Sequence, residues 1–228
     1  MTAPRFVLAA KNKGGVGASF VSRAFLEFAD AGQRRWRVFD GQAPGGSLKR
    51  FYKDAEIVNF AVTAGRMRVI DGLGAQTTFL DAPAGLLSET LQLLHDVGYM
   101  VEAARGQQDF AVLHVVGPNV DSMLEAAEIA ARMAEGGKHY LIRNCANDEQ
   151  FTWSDGAYKQ MLAAVDPAAV VDVGHLDPMA REAVDGSGMS FSEFIADERQ
   201  SALQRRLVRK WRDDTFATFE KAGFRSLA

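Results

Sequence analysis

Apolar runs and helix-spaced apolar positions alternate along most of this chain. Phe6-Val7-Leu8-Ala9-Ala10 is apolar at every position, the pattern of a strand buried on both faces. Phe20, Val21, Ala24, Phe25 and Phe28 then recur at helical spacing up to Ala31-Gly32. Trp36 to Phe39 predicts a second short strand that delivers Asp40 at its C-terminal edge, and Gly41 to Ser47 reads as a loop from its Gly and Pro content. Ser47 to Tyr52 reads as a helical start, followed by two apolar segments, Ile57 to Val62 and Met67 to Ile70. Beyond them Thr78-Phe79-Leu80-Asp81 is a strand ending in aspartate, turned by Pro83 and Gly85. A helix is expected over Leu86 to Val97. Phe110 to Val116, apolar on both faces, is the strongest strand and is expected to be central in the sheet, with His114 read as a core or edge histidine that has a hydrogen-bond partner rather than as a catalyst. A helix over Asp121 to Glu135, a strand over Tyr140 to Asn144 and a last strand over Val170 to Val173 complete an α/β alternation, which predicts a mostly parallel sheet with helices on both faces.

Composition narrows this picture. The 228 residues suffice for one full-sized α/β domain, and 47% hydrophobic with 24% charged residues is ordinary for a globular protein. One domain spanning 1–228 is the expectation. A net charge of −3 argues against a uniformly basic nucleic-acid binder, although a local basic face is compatible with it. Cys145 is the only cysteine, which rules out an intrachain disulfide and speaks against an iron–sulfur reductase; a cytoplasmic location is expected. No apolar run approaches the ~20 residues of a membrane span, and the N-terminus lacks a signal-peptide pattern.

The chemistry is concentrated after the first strand. Lys11-Asn12-Lys13-Gly14-Gly15-Val16-Gly17-Ala18-Ser19 joins a strand to a helix N-terminus, where backbone N–H groups and the helix dipole together attract phosphate. The general phosphate-loop template asks for an earlier glycine and for a Gly-Lys-Ser/Thr ending, and this stretch lacks both the glycine and the lysine.

Lys13 to Ser19 resembles the deviant phosphate loop Lys-Gly-Gly-x-x-Gly-Lys-Ser/Thr of the ParA/MinD family of partition and positioning ATPases, with one position changed. The resemblance implies a three-layer P-loop fold, ATP or ADP as ligand with Mg2+, and a homodimer in which Lys13 reaches the partner's nucleotide. By the same resemblance Gly14, Gly15, Val16, Gly17, Ala18, Ser19 and Phe20 would cradle the phosphates, although Ala18 stands where the family's second lysine would be. Asp40 matches the first aspartate of the family's Asp-x-Asp-Pro segment, which assists magnesium through water. Gln42 stands where the water-orienting aspartate would be, and an exposed loop residue is the other reading of it. The Asp81-Ala82-Pro83-Ala84-Gly85 segment resembles the family's second nucleotide motif. It makes Asp81, with the Ser19 hydroxyl, the magnesium pair; Asp71 competes with Asp81 for that role but lacks the Pro-containing turn.

Later in the chain Asn144 resembles the asparagine that reads adenine, and a turn-forming asparagine is the alternative. His175 to Ala183, with Asp177 and Pro178, resembles the segment beside the adenine. The arrangement after Asp81, together with the charged terminal helix, also looks like the TraL branch associated with plasmid conjugal transfer. An amphipathic C-terminal helix over about 197–220 carries Leu203, Leu207, Trp211 and Phe219 on one side, with Arg205, Arg206, Arg209, Lys210 and Arg212 on its flanks. It closes the domain, holds nonspecific DNA, or lies on a membrane, and Asp213, Asp214 and Glu220 argue against the last.

Losing one lysine–phosphate contact at Ala18 costs about 1.5–3 kcal/mol of binding, and losing a preorganised positive charge costs about 10²–10³ in rate. Either an engineered lesion or natural drift would leave an alanine there, and Gln42 favours drift. Lys11 lies before the loop as a minor candidate for compensation. The expected function is an ATP-binding switch that dimerises around nucleotide to position, partition or recruit a protein cargo or regulator, with hydrolysis weak or lost. The alternative is a nucleotide-free scaffold acting through protein contacts; a small-molecule kinase or ligase is a third reading, without a recognisable substrate pocket.

Overall fold

The computed structural model describes residues 5–11, 14–30, 36–73, 77–118, 124, 126–127, 130–131, 137–146, 151 and 155–227. In chain order the elements are β1 (Arg5–Ala10), α1 (Ala18–Asp30), β2 (Arg37–Asp40), β3 (Glu56–Ile57), α2 (Thr63–Ile70), β4 (Thr78–Asp81), α3 (Leu87–Asp96) and α4 (Tyr99–Ala104). There follow β5 (Asp109–Val116), β6 (Lys138–Asn144), α5 (Asp155–Val165), β7 (Ala169–Val173), α6 (Pro178–Ser187), α7 (Phe191–Ala196) and α8 (Ala202–Lys221). The strands form one seven-stranded sheet in the order β3-β2-β4-β1-β5-β6-β7, and every pairing is parallel.

Alternation along the strands explains the layers. Val7 and Ala9 of β1, Phe79 of β4 and Ala111, Leu113 and Val115 of β5 join a core with α1, α6, α7 and α8. Phe6, Leu8 and Ala10, with Leu80, Phe110 and Val112, join a second core with Val69 of α2, Leu91 and Leu94 of α3 and Tyr99 of α4. The expected three-layer α/β fold is present, with β1 in the middle of the sheet and β5 beside it rather than at the centre. His114 is 1% exposed and its Nε2 lies 2.9 Å from Nδ1 of His139, the partnered core histidine that the sequence suggests.

Several elements differ from expectation. Ser47 to Tyr52 is a turn, closed by the N–H groups of Phe51 and Tyr52 donating to the Leu48 carbonyl at 2.9 Å, and Asp40 accepts from the N–H groups of Leu48 and Lys49 at its start. The terminal helix starts at Ala202; residues 197–201 are held in a turn by the Asp197 carboxylate, which accepts from Arg199 and Gln200. Its buried stripe is Val208, Trp211, Thr215 and Phe219, whereas Leu203 is 66% exposed. The stripe packs on α1, α6, α7 and β7 and closes one face of the sheet. Helices α4 and α5 were not foreseen. The helix expected over 121–135 falls largely outside the described residues, as do Asn12 and Lys13.

Candidate functional site

The C-terminal ends of the parallel strands place the expected site residues side by side. Register pairs Ala9 with Asp81 and Asp40 with Asp81, so the end of the central strand, the aspartate of β4 and the aspartate of β2 form one row. Open α/β sheets bind their ligands at this edge. The chain leaves β1 at Lys11 and passes through Gly15 and Gly17 at φ +89° and +76°, values that L side chains rarely adopt. It enters α1 with the N–H groups of Phe20 and Val21 donating to the Gly17 carbonyl at 3.1 Å. The Ala18 and Ser19 amides therefore lie in the first turn, where a helix has no internal acceptor for them.

A cavity of about 470 Å³ lies over this turn. Gly14, Gly15, Gly17, Ala18, Ser19 and Phe20 form one wall, and Gln42, Ser47, Arg50, Phe51 and Ala84 face it from the loops after β2 and β4. Arg23, Arg181 and Asp185 come from α1 and α6, and Lys11 completes the lining. The cationic members outnumber the single carboxylate, which holds Arg23 and Arg181. Arg23 donates to Asp185 at 2.8 Å and to the Met189 carbonyl at 2.8 Å. Arg50 donates to the Asp185 carbonyl at 2.7 Å, and Arg181 lies 3.7 Å from the other carboxylate oxygen of Asp185. The Arg23 guanidinium is sandwiched between the rings of Phe51 and Phe191, 3.8 and 4.0 Å from their centroids. Burial lowers its pKa to about 10, with Asp185 opposing the shift. Arg181 lies over the Phe20 ring at 4.9 Å.

Behind the loop is a second constellation. Lys11, 7% exposed, directs Nζ to Asp81 Oδ1 at 2.7 Å and to Ser19 Oγ at 3.4 Å, and the Ser19 hydroxyl donates to Asp81 Oδ2 at 2.6 Å. Asp81 has no exposure; burial pushes its carboxyl above the usual carboxylate range, and the Lys11 ammonium pulls in the opposite direction.

The sequence-predicted residues therefore divide. Gly14, Gly15, Gly17, Ala18, Ser19, Phe20 and Gln42 line one cavity, with Ser19 also bound to Asp81. Asp40 is fully buried and spends its carboxylate on backbone: Oδ1 accepts from Gln42 N–H at 2.9 Å, and Oδ2 accepts from Leu48 and Lys49 N–H at 2.6 and 2.8 Å. Asn144 donates to the Val16 carbonyl at 2.8 Å and accepts from Ala146 N–H at 3.2 Å, so its amide holds the loop. Asp177 caps α6 by accepting from Ala180 N–H at 3.1 Å, with Pro178 at the first helical position, and it lines a different cavity of about 370 Å³ beside Trp211. Asp71 stands at the C-cap of α2, is exposed and does not line the cavity. Lys13 lies outside the described residues.

The arginines were missed. Arg23 stands four residues after Ser19, one helical turn along the same face, and that spacing was a usable signal; Arg50 and Arg181 gave none. Lys11, a minor candidate by its place before the loop, is a full member of the site, and a charged residue closing an apolar central strand is itself conspicuous.

No family model and no curated protein matches this chain. Among solved structures, a nucleotide-binding protein from Archaeoglobus fulgidus in complex with ADP aligns with TM-score 0.52 at 15% identity, over 80% of this chain and 86% of that one. The MinD cell division protein of Aquifex aeolicus aligns with TM-score 0.48 at 13% identity, over 91% and 96% of the two chains. A septum site-determining MinD of Pyrococcus horikoshii complexed with Mg-ADP gives TM-score 0.45 at 15% identity, over 94% and 96%. The chain shares the α/β fold of the Archaeoglobus nucleotide-binding protein. At these identities the likeness is one of fold.

Proposed function

We propose that this chain is an ATP- or ADP-binding switch protein that dimerises around nucleotide and positions, partitions or recruits a protein cargo, with hydrolysis weak or lost. The observation that supports nucleotide binding is the cavity over the first turn of α1, in which Arg23, Arg50 and Arg181 face the glycine loop. An anionic ligand there meets the positive end of the helix and the guanidinium groups together. The cavity lies within the ~300–1,000 Å³ typical of small-ligand sites.

Ala18 supports the second half of the reading. It is 2% exposed on the wall of the same cavity, and no ammonium projects from that position to stabilise charge on a transferring phosphoryl group. Gln42 lines the cavity as well and donates to the Ala82 carbonyl at 3.4 Å; an amide orients water by hydrogen bonding without polarising it as a carboxylate does. Magnesium would require Ser19 and Asp81. They stand together, but the Lys11 ammonium is bonded to both, so as arranged they do not fit an added dication. Dimerisation and cargo rest on the Lys13 resemblance.

Calorimetric titration with ATP and with ADP, followed by sedimentation of the saturated protein, tests the proposal. Saturable binding with a shift from monomer to dimer is expected. No heat at millimolar nucleotide would overturn it in favour of the nucleotide-free scaffold. Ala18→Lys is expected to tighten binding by roughly ten- to hundredfold, the value of one charge-assisted phosphate contact.

A further inference from the structure

Resting on that nucleotide reading and deepening it, we infer that Lys11 is the resident cation of the site, its ammonium holding the place between the Ser19 hydroxyl and the Asp81 carboxylate, so that nucleotide phosphates bind without a divalent metal. The hydrogen bonds form a closed set: Nζ donates to Asp81 Oδ1 at 2.7 Å and to Ser19 Oγ at 3.4 Å, and that hydroxyl donates to Asp81 Oδ2 at 2.6 Å. Both oxygens of the carboxylate and the hydroxyl, the hard donors a magnesium ion would seek, are thus each engaged with the one ammonium or with each other.

Displacing that ammonium is unfavourable. Asp81 is fully buried and Lys11 is 7% exposed, so separating them leaves a carboxylate without its compensating charge in a low-dielectric setting. A dication entering beside the ammonium would instead meet like charge at close range. The neighbouring carboxylate offers no substitute ligand, because Asp40 already accepts from three backbone N–H groups. Among the described residues no group of three or more His, Cys, Asp or Glu side chains is arranged to hold a metal.

The ammonium is also placed to serve the anion. Lys11 lines the cavity with Gly14, Gly15 and Ser19. An ammonium has three N–H groups; among the described residues Asp81 and Ser19 take two, which leaves the third for a phosphate oxygen. Lys11 thus adds positive charge for phosphate binding from the strand side of the loop, without restoring the ammonium absent at Ala18.

The test measures ADP binding by calorimetry in excess EDTA and in excess magnesium, and separately titrates Mn2+ into nucleotide-free protein, read by water-proton relaxation. Wild-type protein is expected to bind ADP with affinities within about twofold in the two buffers and to show no bound Mn2+, whereas Lys11→Gln should bind Mn2+ and need magnesium for ADP. Tightening of wild-type binding by about tenfold or more on adding magnesium would overturn the inference while leaving the nucleotide reading intact. Tight Mn2+ binding by the wild type would do the same. Absence of ADP binding in both buffers would overturn the nucleotide reading and this inference with it. The wild-type comparison needs no variant, so it decides the matter even where Lys11→Gln fails to fold.

Discussion

The side-chain amide of Asn144 donates to the backbone carbonyl of Val16 at 2.8 Å, fastening the end of β6 to the glycine loop after β1. The same amide closes over Gly17: a Cβ there would lie 2.1 Å from Asn144 Nδ2, and Gly17 sits at φ +76°. Gly17→Ala is therefore expected to lower stability by about 1–3 kcal/mol, from backbone strain and displacement of the amide together, and Asn144→Ala by about 1 kcal/mol. Because the two changes share one contact, the double variant should lose less than the sum. A coupling of at least about 0.5 kcal/mol in urea unfolding supports this link, and simple additivity contradicts it.

Trp211 joins the terminal helix to the site. Its ring lies 4.8 Å from both Phe20 and Phe191, and Nε1 donates to the Gly174 carbonyl at 2.8 Å. Trp211→Ala should cost about 3–5 kcal/mol. Leu203→Ala, on the exposed side of the same helix, should stay within about 0.5 kcal/mol. Thermal or urea midpoints of the two variants check the contrast; a large loss at Leu203 would restore the apolar stripe that the four-residue spacing suggests.

Buried neutral imidazoles make stability depend on pH. Burial lowers the pKa of His114 to about 3, with His139 beside it adding to the shift, and burial lowers that of His139 as well. In the unfolded chain both take up protons below about 6.5, while the folded state resists. Stability is thus fully present above pH 6.5 and falls as pH drops below it, towards the folded value near 3 for His114. The slope approaches about 1.4 kcal/mol per pH unit for each imidazole. Unfolding free energies between pH 7 and about 5, above most carboxylate titration, should decline steadily; a flat profile there would contradict the neutral pair.

The sheet was legible because a parallel strand buried on both faces cannot hide its pattern, as in Val7 to Ala10 and Phe110 to Val116. The glycine loop was legible because positive-φ positions and a helix start demand a narrow set of residues. Other features were decided by long-range partners. Asp40 reads as a ligand-facing aspartate by its place at a strand end, but the Gln42, Leu48 and Lys49 amides claim it. Arg23 and Arg181 meet at the cavity only through Asp185, which no local signal marks. Leu203 fits the four-residue spacing but is exposed, and the three-four spacing of Val208, Trp211, Thr215 and Phe219 follows the core.

Hydrogen–deuterium exchange over the segment from Gly14 to Ser22, with and without saturating ADP, tests most directly whether the amides at the start of α1 hold the phosphates. The account predicts slower exchange concentrated at Gly14 to Ser19 in the presence of ADP. Unchanged exchange in that segment, with protection appearing elsewhere or nowhere, would contradict it.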